Sequence, residues 1–467
     1  MGRRRMMVIG LDCAAPRLVF DRYRDAMPNL SALMERGTWG PLRSSEPPIT
    51  VPAWTCMVSG RDAGELGLYG FRNRVPGETG LRLANGGDVR VKRVWDWLGE
   101  HGHRVASLFV PLTSPPTPVR GQMVSGFMWP GNDAPWCFPR GLEAELVDRF
   151  GSYRADVENF RADDLDRIYQ DIVLMTEQHV EIAEHVWKEK QPDFMMTVEI
   201  GVDRFHHAFW RHIDPEHPRH ESGNPWEHLG REYYQLLDTH IGRLCALADE
   251  ETAVMVVSDH GARAMHGGFC INEWLIREGY LTLREPPAAA SPLDHAQVDW
   301  SRTTAWAEGG YYARVFLNVA GREPNGTVAP ADLRTLRDKL CSELQNASDD
   351  AGIRIPTSVR IPEEHYRQAR GFPPDLMVYF DDLKLRAIGL KLRAIGSIGG
   401  NRIVASENDT GPDSCNHDWD GIFVMSGGGT VGLGRVEGAE IGDVAPTILG
   451  AFEIPRPPEI LGRDWTR

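Results

Sequence analysis

No CxxC pair occurs in the chain, and its seven cysteines (Cys13, Cys56, Cys137, Cys245, Cys270, Cys341, Cys415) are scattered and odd in number. That spacing excludes a disulfide framework and a zinc knuckle, and makes a reducing, cytoplasmic setting the expected one. No run approaches the ~20 apolar residues of a membrane span. The basic start, Met1 to Arg5, is followed by an apolar stretch of only six residues, short of the about 7–15 of a secretion signal. An excess of positive charge is missing too. The net charge is −15 with a pI near 5.6, which repels a nucleic-acid polymer and favours a small molecule as the partner.

What is present is a globular composition, 42% hydrophobic and 25% charged, with apolar runs that stop at metal-ligating side chains. Ala253 to Val257 ends in Ser258-Asp259-His260-Gly261, and Met6 to Leu11 ends at Asp12. Phe194 to Ile200 is followed by Asp203, with His206 and His207 three and four residues later. A strand that closes on carboxylate and imidazole groups delivers metal ligands to the rim of a sheet, where open α/β folds place their sites. The residues therefore point to a metal-dependent α/β enzyme. Spacing alone does not choose between His206 and His207, because i,i+3 and i,i+4 share a helix face. Taken with His212, His217 and His220, the two would equally make a polar, histidine-rich surface.

Strand-like runs alternate with helical stretches at Glu177 to Lys190 and Trp226 to Leu247, which predicts a mostly parallel central sheet with helices on both faces. The texture changes near residue 285. Pro286 to Pro292 reads as a linker, followed by a strand over Tyr311 to Val319 and a helix over Ala331 to Gln345 with Asp332 at its acidic start. The expected organisation is a catalytic core over 1–284, a cap insertion over 285–400 and a return to the core over 401–467 through Gly421 to Gly427. Gly427-Gly428-Gly429 is read as a turn, since no P-loop Lys-Ser/Thr follows. Leu383 to Gly389 is repeated in tandem as Leu390 to Gly396. Two copies, each ending in Gly, fall short of a coiled coil. The repeat is expected in a surface loop or edge strand, clear of any ligand.

Asp12 after its strand, then Pro48-Ile49-Thr50-Val51-Pro52-Ala53-Trp54-Thr55, Ser59-Gly60 and Gly67 to Phe71, resembles the nucleophile region of the alkaline phosphatase superfamily. Four further segments resemble the type I phosphodiesterase/nucleotide pyrophosphatase branch in the same order. They are Asp203 to His207 with Phe209-Trp210, Ser258 to Gly261, Asn416-His417-Asp418-Trp419-Asp420-Gly421, and Gly442 to Leu449. The resemblance spans nearly the whole chain.

It implies two divalent metal ions, zinc by the Asp/His mixture with manganese as an alternative. One would be held by Asp12, Asp259, His260 and the Thr50 hydroxyl, the other by Asp203, His207 and His417, leaving His206 as a neighbour. Thr50 is then the nucleophile, preferred to Thr55 and Ser59, and the activity implied is hydrolysis of a phosphodiester or pyrophosphate-type ester through a phosphothreonine. A threonine hydroxyl needs such help, because it attacks poorly at neutral pH until a dication lowers its pKa. A phosphotransferase or phosphomutase on the same scaffold, and a non-catalytic metal-binding protein, are the competing readings. Arg72, Asn73 and Arg74 are read as solvated.

Overall fold

The computed structural model describes residues 4–466 apart from 76, 79, 132–133, 286, 288–293, 389–401 and 406–412. Most of the Pro286 to Pro292 stretch, the second heptapeptide copy and the boundary at residue 401 lie outside the described residues.

The central sheet is built on β1 (Arg5–Leu11), β2 (Thr38–Arg43), β3 (Val105–Val110), β4 (Gly121–Ser125), β5 (Phe194–Glu199), β6 (Thr252–Val257) and β10 (Asp420–Gly427). Their order is β2, β10, β6, β1, β5, β3, β4, with two-residue strands at both edges. Pairing is parallel from β6 through β1, β5 and β3 to β4, whereas β10 runs antiparallel to both β6 and β2. The expected mostly parallel sheet is therefore a mixed one. β10 returns to the sheet between β6 and β2.

Buried on both faces, the inner strands read as continuous apolar runs, and successive residues feed opposite cores. Met7, Ile9 and Leu11 of β1 pack under the helices Leu165–His185, Leu229–Cys245 and α2 (Gly201–Ile213). Met6 and Val8 pack under α1 (Thr50–Ser59), Val94–Glu100 and Val444–Ala451. The first of these helices begins twelve residues before the expected Glu177. Its N-terminal half is polar enough to hide the periodicity, but it buries Leu165, Ile168, Ile172 and Met175 on one stripe.

A second sheet orders Ala305–Glu308, Ala313–Leu317, Leu376–Phe380, β8 (Leu385–Ile388), Gly267–Cys270 and Val404–Ala405, with Thr357–Arg360 beside Leu376–Phe380. It has its own apolar core around Trp306, Phe316 and Phe380. Between the two sheets, β7 (Gly261–Ala264) pairs antiparallel with β9 (Cys415–Asp418), and Ala262 lies opposite His417. That ribbon carries the C-terminal histidine back to the end of β6.

Candidate metal centre

Each segment delivers its side chain for a local reason. Asp12 is the residue after β1, and its backbone N–H still bonds Glu199 O at 3.0 Å. Cys13 then takes a left-handed φ of 68°, a conformation costly for a residue with a Cβ. This turn aims successive amides at the end of β6, Cys13 N–H to Asp259 Oδ1 at 3.2 Å and Ala14 N–H to Ser258 Oγ at 2.8 Å. Trp54 of α1 lies across Gly10, where a Cβ would stand 2.5 Å from the indole. With that space clear, Trp54 Nε1 donates to Asp12 Oδ2 at 2.7 Å.

Thr50 is the first residue of α1, whose Pro52 sits in the first turn where a missing N–H is tolerated. A helix start also presents unpaired N–H groups and the positive end of the dipole. Thr50 Oγ1 stands 3.3 Å from His260 Nε2. The rival hydroxyls are committed elsewhere, Thr55 Oγ1 to Val51 O at 2.7 Å and Ser59 Oγ to Thr55 O at 2.6 Å.

Asp203 and His207 share one face of α2, with His207 Nε2 3.3 Å from Asp203 Oδ1. His206 points into the core and meets Tyr234 OH at 3.0 Å. The histidines do not form a surface: His206, His207, His212 and His217 are buried and His220 is half-buried.

Three imidazoles are oriented alike. Nδ1 of His260 meets Gly261 O at 3.0 Å, Nδ1 of His417 meets Pro48 O at 2.8 Å, and Nδ1 of His207 meets Asp413 Oδ1 at 2.9 Å. Those oxygens can only accept, so Nδ1 carries the proton and each Nε2 presents a lone pair. The Nε2 atoms face carboxylate oxygens: His260 to Asp259 Oδ2 at 3.3 Å and Asp12 Oδ1 at 3.7 Å, His417 to Asp203 Oδ1 at 3.5 Å. Asp12 Oδ1, Asp203 Oδ1, Asp259 Oδ2 and His417 Nε2 are buried with no hydrogen-bond partner among the described residues. Lone pairs facing one another in a buried site are repulsive unless cations lie between them.

The titration behaviour follows from the same crowding. Burial and then Asp203 push the Asp12 carboxyl well up, while burial and then Asp12 do the same to Asp259. Burial, then the neighbouring His417, holds His260 well below its usual value, and burial brings His417 down to about 4. Asp203 is the exception. Burial alone would raise it, but His207, His417 and Arg204 together hold it well below the usual carboxylate range. Imidazole nitrogens and carboxyl oxygens form a donor set suited to divalent ions with mixed nitrogen and oxygen preference. Ligand atoms of Asp203, His207 and His417 all lie within 4.8 Å of one another, as do those of Asp12, Asp203 and His260. The thiol of Cys13 makes a further such group with His260 and His417.

The heptapeptide does not stay clear of this cluster. Arg386, in its first copy, places Nη2 2.9 Å from Asp413 Oδ2 and 3.4 Å from His207 Nδ1. Arg161 Nε approaches the same Asp413 oxygen at 2.7 Å. The two guanidiniums and His207 hold the buried Asp413 far below the usual carboxylate range, against the effect of burial. Arg74 departs from expectation as well, since its side chain is buried against Glu323 at 2.5 Å.

Tyr311 completes the wall. Its ring stacks on His417 at 3.7 Å between centroids, and His417 stacks in turn on His260 at 3.7 Å. Sequence reasoning missed Asp413, Arg161, Arg386 and Tyr311. Of these, Asp413 lies four residues before His417, Arg386 inside the first heptapeptide copy and Tyr311 at the start of an expected strand, none with a signal for the site.

A family model for type I phosphodiesterase / nucleotide pyrophosphatase matches residues 6–387. Among solved structures, the chain is similar to phosphonoacetate hydrolase from Sinorhizobium meliloti 1021 in complex with phosphonoformate, at TM-score 0.58 and 15% identity, covering 96% of each chain. It is also similar to human ectonucleotide pyrophosphatase/phosphodiesterase 5, at TM-score 0.55 and 13% identity, covering 99% of this chain and 98% of that one. The murine form, an inactive variant in complex with AMP, gives TM-score 0.53 at 14% identity with the same coverage. No curated protein sequence matches.

Proposed function

The chain belongs to the type I phosphodiesterase/nucleotide pyrophosphatase family of phosphoric ester hydrolases, and from that premise we propose that it cleaves a small phosphodiester or pyrophosphate-type ester through a phosphothreonine at Thr50. The carrying observation is the Thr50 hydroxyl at the head of α1, 3.3 Å from His260 Nε2, beside three carboxylate oxygens without partners. Asp12, Asp259, His260 and Thr50 would hold one divalent ion, and Asp203, His207 and His417 the other. Zinc suits these donors best, with manganese as an alternative. When bound, the ions would supply Lewis acidity at the hydroxyl and at the phosphoryl oxygens.

The rest falls to the chain. Thr50 Oγ1 gives its proton to solvent and attacks phosphorus in line, the bond to the leaving oxygen breaks, and that oxygen departs with the displaced electron pair and takes up a proton from solvent. Water then attacks the same phosphorus, the bond to Thr50 Oγ1 breaks, the remaining half of the substrate leaves as a phosphate monoester, and a proton from the water returns to Thr50. The first turn of α1 offers N–H groups and a partial positive charge to the transferring group throughout. His260, His417 and His207 are fixed by their Nδ1 bonds, so the ligand geometry need not be assembled during turnover.

The test is hydrolysis of bis(p-nitrophenyl) phosphate, dinucleoside pyrophosphates and p-nitrophenyl phosphate by the metal-loaded protein. Turnover should favour the first two and fall by roughly three or more powers of ten in Thr50→Ala, with metal content kept, whereas Thr50→Ser stays measurably active. Absence of hydrolysis on all three overturns the proposal. Transfer to an added alcohol in preference to water would make the protein a phosphotransferase.

A further inference from the structure

The second sheet brings one hydroxyl to the cluster. Tyr311 lies in the turn between Ala305–Glu308 and Ala313–Leu317. Its hydroxyl stands 3.2 Å from His207 Nε2 and 3.4 Å from Arg161 Nη2. The ring is fixed by its stack on His417 and by the Arg386 guanidinium 4.6 Å from its centroid.

Hydrogen-bond accounting then gives the hydroxyl a task. A guanidinium only donates, so the Tyr311 oxygen accepts from Arg161. Its own proton goes to His207 Nε2, the lone pair left by the Nδ1–H bond to Asp413. If His207 serves as a ligand, that lone pair is no longer available and the Tyr311 O–H must find another acceptor. A substrate phosphoryl oxygen within reach of the Tyr311 hydroxyl is such an acceptor, and the Arg161 charge behind the hydroxyl strengthens donation to an anion.

We propose that Tyr311 is a substrate-contacting residue whose hydroxyl, backed by Arg161, donates a hydrogen bond to an oxygen of the bound phosphoryl group. The inference rests on the metal-site reading given above, but not on Thr50 being the nucleophile. It also gives the second sheet, which has its own apolar core, a part in recognition.

Orthophosphate titrated calorimetrically into the metal-loaded wild type and Tyr311→Phe provides the test, beside elemental analysis of both. Phenylalanine keeps the ring and its stack on His417, so only the donor is lost. Metal content should be equal, and orthophosphate should bind about tenfold more weakly to the variant, the scale of one charge-assisted hydrogen bond. Equal affinity in the two proteins overturns the proposal. So does loss of metal from Tyr311→Phe, which would make the hydroxyl a ligand, or failure of the wild type to bind orthophosphate. Because the probe requires no turnover, a wild type that binds phosphate through Tyr311 yet hydrolyses nothing would refute the Thr50 chemistry and leave this inference standing.

Discussion

The two halves of the cluster are supported by different means. Around Asp12, Asp259, His260 and Thr50 the support is the ends of β1 and β6 and the head of α1. It consists of the Cys13 amide on Asp259, the Gly261 carbonyl on His260 and the Trp54 indole on Asp12. Around Asp203 and His207 the support is ionic: the adjacent Arg204 on Asp203 at 2.5 Å and, from distant segments, Asp413 on His207, itself held by Arg161 and Arg386. Two of the first half's three contacts are backbone groups, which are insensitive to side-chain replacement, and none of the three needs a counter-charge. A buried ionic network gives fixed geometry only while every member is present. The first half should therefore fail one ligand at a time, and the second as a unit.

The largest effect belongs to the ligands themselves. If the strand-end half is independent, Asp259→Ala should lose about one of two metal ions per chain and about three powers of ten in turnover, while His417→Ala loses the other ion. Elemental analysis checks this. Full occupancy in either variant would contradict the assignment, and loss of both ions from Asp259→Ala would break the claim of independence.

Next comes Asp413→Asn, which keeps the shape and leaves two guanidiniums facing a neutral amide. Affinity for the ion at Asp203, His207 and His417 should weaken about 10–100-fold, the effect of losing a partner that orients a ligand. Global stability should fall by about 3–5 kcal/mol. The ion beside Thr50 should be unaffected. Competition with a chelator resolves the two ions, and equal weakening of both would erase the distinction between the halves.

The smallest effect concerns His206, which sits beside His207 but takes no part in either half. Burial brings it down to about 3, so the unfolded chain takes up a proton below pH ~6.5 that the folded chain refuses. Its contribution to stability is present above pH ~6.5 and is lost as pH falls toward 3, at up to ~1.4 kcal/mol per pH unit. His206→Gln should keep both metals and lose less stability than wild type between pH ~6.5 and ~4 in denaturant titrations. A steeper acid slope, or lost metal, would return His206 to the candidates.

The same contrast explains what could be read before the fold was known. Asp12, Asp203, Asp259 and His260 follow apolar runs, and a strand end followed by a ligand is a local pattern. Thr50 and His417 came from resemblance, since nothing local separates Thr50 from Thr55. The structure separates them through the bond from Thr55 Oγ1 to Val51 O. Arg161, Tyr311, Arg386 and Asp413 carry no local signature: they come from the segment before Leu165–His185, from the second sheet and from the residues just before β9, and meet only in the fold. Long-range pairing of this kind is also why β10 joined the sheet antiparallel when alternation had suggested a parallel one.

The central claim is that Thr50 carries the phosphoryl group between two displacements. Each in-line displacement inverts phosphorus. The direct measurement is the configuration of product from a phosphodiester chiral at phosphorus, opened by the metal-loaded protein in isotopically labelled water. Net retention is the predicted result, and net inversion, which means a single attack by water with Thr50 only a ligand, would contradict it.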